Sequence, residues 1–575
     1  MKELLSGNQA VARGAYEAGV EIAAAYPGTP STEILENMAR YKEIYSEWSV
    51  NEKVAFEVAY GGAVGGKRAL AAMKHVGVNV ASDALMTASY TGVNAGLVFI
   101  SADDPGMHSS QNEQDNRYYA KFAQVPMLEP SSSHEAKEFT KLALDISEQF
   151  DTPVMVRMST RICHGKGLVE LQDRIEVEKK VYTKDPAKFV MIPRHARKRH
   201  VIVKDRNAKL REFVETVPVN VIEKGSSDIG VISSGVSYQY AKEALPEASF
   251  LKLGMPEPLP INLIKSFIQD HQTVYVVEEL EPFLEDQIKA AGLQVIGKDV
   301  LPDVGEFSPE LIREKILGVK VEVPTNGDLP ARPPVMCAGC PHRAVFNSLR
   351  KHRTTVSGDI GCYTLSTLPP LNTLDSCLAM GASVGMAQGF VRSMDKRKAD
   401  RVVSVLGDST FVHSGIPPLV NAVYNNAKIT VVILDNRITA MTGHQENPGS
   451  GKTLMGDDVT PFDFEAVSRA IGVGYVKTVD PIAGEELDKI IGEAIEHKGP
   501  AVVIAKRPCV LVEPEQFPGI MRINKELCTE CKLCLRVGCP SISVHDGVVE
   551  IDPNLCFGCS LCKQVCSQDA IERIA

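Results

Sequence analysis

The chain has 575 residues, which at about 150 residues per domain indicates several domains. Its formal net charge of −10 argues against nucleic acid as a partner. Glu3 stands near the start, and no run in the chain approaches the ~20 apolar residues of a membrane span. We therefore expect a soluble, cytoplasmic protein that binds neither nucleic acid nor membranes.

Short apolar runs rich in β-branched residues alternate with helical patterns along most of the chain. Such runs are typical of strands that are buried on both faces of parallel sheets. They predict strands at residues 97–101, 154–156, 229–233, 274–277, 402–406, 429–434 and 501–505. The chain is therefore predicted to consist mainly of α/β layers.

Three interruptions of this rhythm mark the predicted domain boundaries. They are a polar region at residues 171–225 and two Pro-containing segments at residues 323–335 and 507–519. We predict four domains, at residues 1–175, 176–325, 326–515 and 516–575.

Residues 51–63 are predicted to form a helix that begins with Asn51 and Glu52 and has small residues on one face. A carboxylate in the first turn of a helix is favoured by the helix dipole, so a solvated acid is the simpler interpretation. The alternative is a carboxylate that moves a proton on a bound cofactor. A motif at the ends of two later strands favours this alternative.

Acidic and amide residues follow two of the later predicted strands. One strand ends in residues 407–409, Gly-Asp-Ser, and the next ends in residues 435–436, Asp-Asn. The carboxyl ends of parallel strands share one edge of a sheet, and ligands of such sheets bind there. These oxygens suit a magnesium ion that holds a diphosphate, while two ordinary strand-end turns are the alternative.

This spacing resembles the thiamine diphosphate motif, in which Gly-Asp-Gly is followed after the next strand by Asn-Asn. Ser409 replaces the last glycine of that motif, and Asp435 replaces the first asparagine. By this resemblance, Mg²⁺ is bound by Asp408, Asn436 and the carbonyl of Ile438.

Eight cysteines form two tight runs near the end of the chain, Cys-x2-Cys-x2-Cys-x4-Cys-Pro and Cys-x2-Cys-x2-Cys-x3-Cys. This is the thiolate pattern of a two-cluster bacterial ferredoxin, in which the fourth cysteine of each run binds the other cluster. The alternatives are structural zinc, which usually has a longer loop between two cysteine pairs, and disulfides, which are rare in the cytosol. The predicted 4Fe-4S sets are Cys528, Cys531, Cys534 and Cys566, and Cys556, Cys559, Cys562 and Cys539.

Several motifs together resemble the 2-oxoacid:ferredoxin oxidoreductase family. They are residues 26–31 (Tyr-Pro-Gly-Thr-Pro-Ser), Glu52, the motif within residues 407–436, residues 441–445 (Met-Thr-Gly-His-Gln) and the two cysteine runs. Residues 101–115 and the fused ferredoxin end are most similar to the large (alpha) subunits of indolepyruvate:ferredoxin oxidoreductases. The resemblance covers essentially the whole chain.

The resemblance implies an α/β fold with three kinds of domain. These are doubly wound parallel sheets that bind thiamine diphosphate, a domain like the transketolase C-terminal domain, and a C-terminal two-cluster ferredoxin domain. It also implies oxidative decarboxylation of aryl pyruvates (indolepyruvate, phenylpyruvate, hydroxyphenylpyruvate) to the aryl-acetyl-CoA, CO2 and reduced ferredoxin. The implied partners are ferredoxin, coenzyme A and a smaller beta subunit, in a heterotetramer with two of each subunit.

Residue roles also follow from the resemblance. Glu52 is the glutamate that activates thiamine, Thr29 hydrogen-bonds the substrate, and Arg117 recognises the substrate carboxylate. A turn or helix start at residues 29–33 is a compatible alternative for Thr29. The implied cofactor-binding residues are Gly358, Asp359, Gly407, Asp408, Ser409, Asn436, Ile438, Thr439, Thr442 and Gly443.

Four further cysteines match a third cluster that related oxidoreductases hold next to thiamine. This third 4Fe-4S set consists of Cys337, Cys340, Cys362 and Cys509. Small buried core residues are the alternative interpretation of these cysteines.

Other functions remain open at the level of sequence. A nonoxidative 2-oxoacid decarboxylase, an oxidoreductase for another 2-oxo acid and a non-catalytic electron-transfer subunit are the alternatives. The basic stretch at residues 194–200 is predicted to be a solvated loop, with coenzyme A phosphates or an acidic ferredoxin as alternative contacts.

Overall fold

The computed structural model describes residues 1–320, 329 and 333–574. The chain divides into two compact units, Met1–Gly327 and Asp328–Ala575. Within the described residues, no helix is long and apolar enough to cross a membrane.

The first part of unit 1 alternates strands and helices. Its elements are β1 Lys2–Ser6, α1 Gly7–Glu17, β2 Ile22–Ala25, α2 Thr32–Met38, β3 Tyr45–Trp48, α3 Glu52–Val64, β4 Ala69–Lys74, α4 His75–Thr91, β5 Leu97–Asp103, α5 Arg117–Ala123, β6 Met127–Leu128, α6 Ser133–Phe150, β7 Val154–Ser159, α7 Thr160–His164 and β8 Lys166–Glu170.

Six of these strands form one parallel sheet in the order β3-β2-β4-β5-β7-β6. Every residue of β4, β5 and β7 is buried, as expected for a parallel sheet with helices on both faces. β1 and β8 pair antiparallel beside it. The carboxyl ends of β2, β4 and β5 therefore lie at one edge.

The helix predicted at residues 51–63 is present as α3. The side chain of Asn51 caps it by accepting a hydrogen bond from the amide of Val54 over 2.9 Å. Such a cap satisfies one of the free amides of the first turn. Its small residues Ala55, Ala59 and Ala63 are buried, so the predicted small face packs inward.

The second part of unit 1 carries a smaller sheet. Its elements are α8 Pro186–Phe189, α9 Pro193–Phe213, β9 Asn220–Glu223, β10 Ile229–Ser233, α10 Gly235–Ala244, β11 Ser249–Leu253, α11 Ile261–Gln269, β12 Thr273–Val277, α12 Phe283–Ala290 and α13 Pro309–Leu317. The order is β12-β10-β11-β9, with β9 antiparallel to β11 and the other pairs parallel. One hydrophobic core joins the two sheets of unit 1, because Phe99 and Met127 cluster with Leu251 and Phe267.

The prediction of a solvated loop at residues 194–200 is wrong, since this stretch lies in α9. Arg199 is buried and its guanidinium donates to the carbonyls of Tyr90 and Thr91 and to Asp151. The basic residues alone did not reveal these distant acceptors.

Unit 2 begins with a second α/β layer and ends with short hairpins. Its elements are α14 His342–Lys351, β13 Thr355–Gly358, β14 Ser376–Cys377, α15 Ala382–Ser393, α16 Lys396–Ala399, β15 Val402–Gly407, α17 Asp408–Thr410, α18 Ile416–Tyr424, β16 Thr430–Asp435, α19 Phe464–Ile471, β17 Tyr475–Val479, α20 Gly484–Glu496, β18 Ala501–Lys506, β19 Ile520–Ile523, β20 Ile542–His545, β21 Val548–Ile551, α21 Leu561–Gln564 and β22 Ile571–Ile574. Residues 411–415 form a π-helical turn, and 3₁₀ turns lie at Cys362–Thr367, Pro514–Gln516 and Leu533–Val537.

The sheet of unit 2 is fully parallel, in the order β14-β13-β15-β16-β18-β17. Alternate residues of one strand face different cores: Val403 and Val405 belong to one cluster, and Val402 and Leu406 to another. This explains why the strands read as continuous apolar runs. All seven predicted strands are confirmed, as β5, β7, β10, β12, β15, β16 and β18, although β16 begins one residue later than predicted, at Thr430.

The C-terminal segment adds two antiparallel pairs, β19 with β22 and β20 with β21. It packs on the sheet domain through Val537 and Leu561, which join the core of one sheet face. The side-chain amide of Gln564 also donates to the carbonyl of Ile482 over 2.7 Å. Most of the predicted break at residues 323–335 lies outside the described residues, and the three boundaries between the four domains stay a prediction.

Candidate active site and cluster sites

Three carboxylates lie at the carboxyl edge of the sheet in unit 2. Asp359 follows β13, Asp408 follows β15, and Asp435 ends β16. The register pairs Ser357 with Ser404 and Gly407 with Leu434, so these strand ends are side by side. The sheet therefore assembles the two halves of the predicted cofactor motif.

Asp408 is a buried carboxylate with an unsatisfied oxygen. Its Oδ1 accepts from the amide of Ser409 over 2.7 Å. Its Oδ2 makes no hydrogen bond of ordinary geometry among the described residues, although the side chain of Asn447 lies near enough to lower the pKa of the carboxylate. Burial, and then the negative charge of Asp435, raise the pKa of Asp408 to about 7. Lys506 and Arg437 partly offset the charge of Asp435. Burial of two neighbouring carboxylates is still costly, and a divalent ion with oxygen ligands relieves that cost. The residues present thus fit Mg²⁺.

Tyr363 holds the same edge in place, and sequence reasoning missed it. Its hydroxyl donates to the carbonyl of Ile360 and accepts from the amide of Gly407, both over 2.9 Å. A Cβ on Gly407 would come within 3.2 Å of the Tyr363 ring. Tyr363 belongs to no recognisable sequence motif. Its contacts with Ile360 and Gly407 are therefore visible only in the fold.

The loop after β16 is tied to the Asp408 turn. Thr439 Oγ1 donates to Ser409 Oγ over 3.2 Å, and the backbones of Thr439 and Gln445 exchange two hydrogen bonds. Thr442 Oγ1 donates to Gln445 Oε1 over 2.6 Å. Gly443 has a φ of 122°, a conformation that favours glycine. Ile438 begins this loop and is buried.

Asp359 and Gly358 form a tight turn at the end of β13. The Asp359 carboxylate accepts from the amides of Ile360, over 2.8 Å, and Ser383, over 3.3 Å. Burial nevertheless raises the pKa of Asp359 to about 6. A Cβ on Gly358 would come within 2.1 Å of Leu374, so the backbone there leaves no room for a side chain.

The four cysteines of the predicted third cluster come together in unit 2. Burial, together with the nearby thiols of Cys362 and Cys337, raises the pKa of the Cys340 thiol to about 12, although Arg343 opposes this. Burial likewise raises the pKa of Cys362 to about 11, with Cys337 and Cys509 as neighbours. Thiols that oppose each other's ionisation this way are close in space, and a cluster that binds all four as thiolates fits them.

The eight terminal cysteines line two cavities, each of which receives one cysteine from the other run. Both cavities are otherwise lined mainly by apolar side chains, which fits a buried cluster. One is lined by Cys528, Cys531, Cys534 and Cys566, and the other by Cys539, Cys556, Cys559 and Cys562. The structure thus brings together the same two sets that the sequence predicts. No group of three or more His, Cys, Asp or Glu within residues 1–320, 329 and 333–574 is arranged for a single metal ion.

In unit 1, Glu52 lies in the first turn of α3 and is 4% exposed. A Cβ on Gly77, in the first turn of α4, would come within 2.5 Å of Glu52 Cγ. The glycine therefore lets the Glu52 side chain lie against the start of α4. This environment is not that of a solvated helix-end carboxylate.

Thr29 lies in the turn after β2, at the same sheet edge as the start of α4. The turn is held by Gly28, whose amide donates to Thr32 Oγ1 over 3.0 Å and whose carbonyl accepts from Ser31 Oγ over 2.9 Å. Gly28 also packs on Lys74, since a Cβ there would meet Lys74 Cβ at 3.0 Å. Thr29 and Lys74 are therefore neighbours in the fold.

Lys74 and His75 are buried polar residues that sequence reasoning missed. Lys74 Nζ donates to the carbonyl of Ser109 over 2.7 Å, and burial lowers its pKa to about 8 although Asp104 opposes this. Burial also lowers the pKa of His75, whose Nδ1 has no partner among the described residues. The sequence signal that could have revealed these two residues is a Lys-His pair at the end of an alanine-rich run.

Arg117 is placed away from the role predicted for it. It is 1% exposed, and its guanidinium donates to both oxygens of Asp115, to Glu278 Oε2 over 2.6 Å and to the carbonyls of Glu279 and Glu281. These acceptors use the donors that a substrate carboxylate would need. In this structure Arg117 joins the two sheets of unit 1, and its substrate contact is not supported.

Two family models match the chain. One is described as "Pyruvate flavodoxin/ferredoxin oxidoreductase, thiamine diP-bdg" and matches residues 13–216. The other is described as "Thiamine pyrophosphate enzyme, C-terminal TPP binding domain" and matches residues 359–505. These matches confirm the predicted α/β fold with thiamine-diphosphate-binding domains.

Curated relatives match over nearly the full length. The chain is 43% identical to indolepyruvate oxidoreductase subunit IorA of Pyrococcus horikoshii, over 94% of this chain and 92% of the relative. It is 42% identical to the IorA subunit of Methanothermobacter thermautotrophicus, over 99% of this chain and 97% of the relative. A solved 2-oxoglutarate:ferredoxin oxidoreductase from Magnetococcus marinus matches at 16% identity with a TM-score of 0.46, over 55% of this chain and 65% of that chain.

Proposed function

The chain belongs to the family of indolepyruvate oxidoreductase IorA subunits and is a 2-oxoacid:ferredoxin oxidoreductase. From this premise we propose that its substrates are aryl pyruvates. The products are the aryl-acetyl-CoA, CO2 and reduced ferredoxin, with indolepyruvate, phenylpyruvate and hydroxyphenylpyruvate as substrates. The names of the curated relatives support the choice of substrate. The observation that carries the oxidative step is a backbone contact in unit 2, in which the amide of Cys509 donates to the carbonyl of Asn436 over 3.1 Å.

Thiamine diphosphate, when bound, supplies the carbanion chemistry of the decarboxylation. In our proposal Asp408, Asn436 and the carbonyl of Ile438 would hold Mg²⁺, which would balance the charge of the diphosphate. The buried, unsatisfied Oδ2 of Asp408 supports this ligand. The remaining cofactor contacts are assigned to Gly358, Asp359, Gly407, Ser409, Thr439, Thr442 and Gly443.

Glu52 is proposed to move the proton that activates the cofactor. A carboxylate that does this needs a fixed position and shelter from water. The capped first turn of α3 and the contact with Gly77 provide both. Thr29 is proposed to hydrogen-bond the substrate.

Lys74, rather than Arg117, is proposed to attract the substrate carboxylate. Lys74 is only 8% exposed, and its ammonium group donates a hydrogen bond to the carbonyl of Ser109. A buried cation so placed gains from an anionic ligand. Lys74 also lies against Gly28, beside Thr29.

Electrons are proposed to leave through three 4Fe-4S clusters. The first is held by Cys337, Cys340, Cys362 and Cys509, next to the cofactor edge. The other two are held by the terminal sets, whose cavities support cluster binding. Within each set the thiols raise one another's pKa, which supports each set as one group of ligands.

The partners proposed are ferredoxin, coenzyme A and a smaller beta subunit, in a heterotetramer with two of each subunit. The curated relatives are themselves described as subunits, which supports a second chain.

The test of the proposal is an anaerobic assay of the purified complex with a panel of 2-oxo acids. We expect coenzyme A-dependent reduction of ferredoxin with aryl pyruvates and much less with pyruvate or 2-oxoglutarate. Equal rates with all 2-oxo acids would contradict the substrate assignment. Aldehyde release without ferredoxin reduction would favour a nonoxidative decarboxylase.

A further inference from the structure

Arg343 is a buried cation that joins two cysteine-bearing segments of unit 2. It lies in the first turn of α14 and is 2% exposed. Its guanidinium donates to the carbonyls of Met336 and Cys337, the latter over 3.2 Å. It also donates to the carbonyls of Val537, over 3.4 Å, and Gly538.

These four carbonyls lie in two segments that carry cysteines of different proposed clusters. Met336 and Cys337 begin the Cys337–Cys340 loop of the first set, while Val537 and Gly538 come directly before Cys539. Arg343 also lines the cavity that Cys539, Cys556, Cys559 and Cys562 share, together with Gly339 of the first loop. One side chain therefore spans the wall between two proposed clusters.

No carboxylate compensates this charge in the part of the chain that the structure describes. The ionisable groups that face Arg343 are the thiols of Cys340, Cys539, Cys337 and Cys559. The carbonyls satisfy its hydrogen bonds, but a buried guanidinium without an anion remains costly. Thiolates that bind a cluster bring the missing negative charge.

The backbone geometry also ties Arg343 to the second set. Gly538 has a φ of 71°, and a Cβ there would come within 3.1 Å of the Arg343 guanidinium. The chain thus approaches the guanidinium closely just before Cys539 turns toward the cavity. Loss of Arg343 should loosen both cysteine loops at once.

We propose that Arg343 is a positioning residue and a shared counter-charge for two adjacent clusters, the one on the Cys337 set and the one on the Cys556 set. This inference rests on the proposed function. Net charge and hydrogen bonding near a cluster set its reduction potential. A fixed positive charge stabilises the reduced, more negative state, so Arg343 raises both potentials. It also fixes the distance across which an electron passes between the two sets.

The test is an EPR-monitored redox titration of the anaerobically purified complex, with Arg343→Met and Arg343→Lys compared to wild type. The control is Arg350→Met, because Arg350 lies on the same helix and donates to the carbonyls of Pro370 and Arg536 but faces no cysteine. A Cys528→Ala variant assigns the signal of the remaining cluster.

We expect Arg343→Met to shift the midpoint potentials of two clusters to more negative values and to leave the Cys528 cluster unchanged. Arg343→Lys should give a smaller shift, and Arg350→Met none. If Arg343→Met instead loses iron from the Cys337 and Cys556 sets alone, the positioning role is supported. Unshifted potentials at full iron content, or equal shifts at all clusters, would overturn the proposal.

The iron content of the wild type separates this inference from the proposed function. About eight irons per chain, at four per cluster, would mean that the Cys337 set holds no cluster. In that case Arg343 is not a shared counter-charge, and only the potential of the Cys556 cluster should shift in Arg343→Met. If the potential of the Cys556 cluster does not shift, the role proposed for Arg343 is wrong, while the proposed function is unaffected.

Discussion

The amide of Cys509 donates a hydrogen bond to the carbonyl of Asn436 over 3.1 Å. The residue proposed to bind magnesium and a residue proposed to bind the first cluster thus share one backbone contact. The neighbouring amide of Arg507 donates to the carbonyl of Asp435 over 3.0 Å. The end of β16 and the segment after β18 therefore form one rigid edge, which suits electron transfer over a short distance.

Asp408→Ala should abolish retention of magnesium and thiamine diphosphate, because the diphosphate loses its bridge to the protein. Metal analysis and a thiamine assay of the purified protein measure this. Asp458→Ala, at an exposed position of the same unit, is the control and should keep both. Full cofactor occupancy in Asp408→Ala would place the metal site elsewhere.

Glu52→Gln should leave thiamine diphosphate bound while turnover falls by about 100-fold to 10,000-fold, the usual contribution of a positioned acid or base. The measurement is the steady-state rate at saturating cofactor, with occupancy determined in parallel. Glu57→Gln changes an exposed acid of the same helix that pairs with Lys53, and it should turn over normally. A normal rate in Glu52→Gln would show that another group activates the cofactor.

Lys74→Met should raise KM for the 2-oxo acid with little change in thiamine diphosphate affinity, because an attraction for the substrate carboxylate is lost. In the wild type, kcat/KM should fall as the pH rises through about 8, where Lys74 loses its charge. The charged group near Lys74 is Asp104. Burial lowers the pKa of the adjacent His75, which favours its neutral form. A wild-type decline near pH 8 that persists unchanged in Lys74→Met would exclude Lys74 as its source.

Arg117→Met should destabilise unit 1 rather than change KM selectively. Removing one partner of a buried ion pair costs about 3–5 kcal/mol, because the remaining charges stay buried. Asp115 and Glu278, at 1% and 2% side-chain exposure, would be left in that state. Thermal unfolding should show a lower transition temperature. A stable variant with a greatly raised KM would instead restore the predicted substrate contact.

The sequence predicted residues whose signal is local. The spacing of the two cysteine runs alone predicts the two cluster sets, in which the fourth cysteine of each run binds the other cluster. Asp408 and Asp435 each end an apolar run, so the shared sheet edge was readable as well. β4 was missed because its sequence, Ala-Leu-Ala-Ala-Met-Lys, has no β-branched residue and favours a helix by propensity.

Contacts between distant segments could not be read from the sequence. The family resemblance implied a substrate contact for Arg117, while its partner Glu278 lies 161 positions away along the chain. Arg343 carries no motif, and its acceptor Gly538 is 195 positions away. In both cases the fold decides whether a buried arginine binds a ligand or pairs with other residues of the protein.

The central claim is that decarboxylation is coupled to single-electron transfer into ferredoxin. The most direct measurement is the stoichiometry of CO2 released, aryl-acetyl-CoA formed and ferredoxin reduced by the anaerobic complex with indolepyruvate and coenzyme A. The account predicts about two one-electron ferredoxin reductions for each CO2, and no reduction without coenzyme A or thiamine diphosphate. Release of CO2 with an aldehyde and no reduced ferredoxin would contradict it.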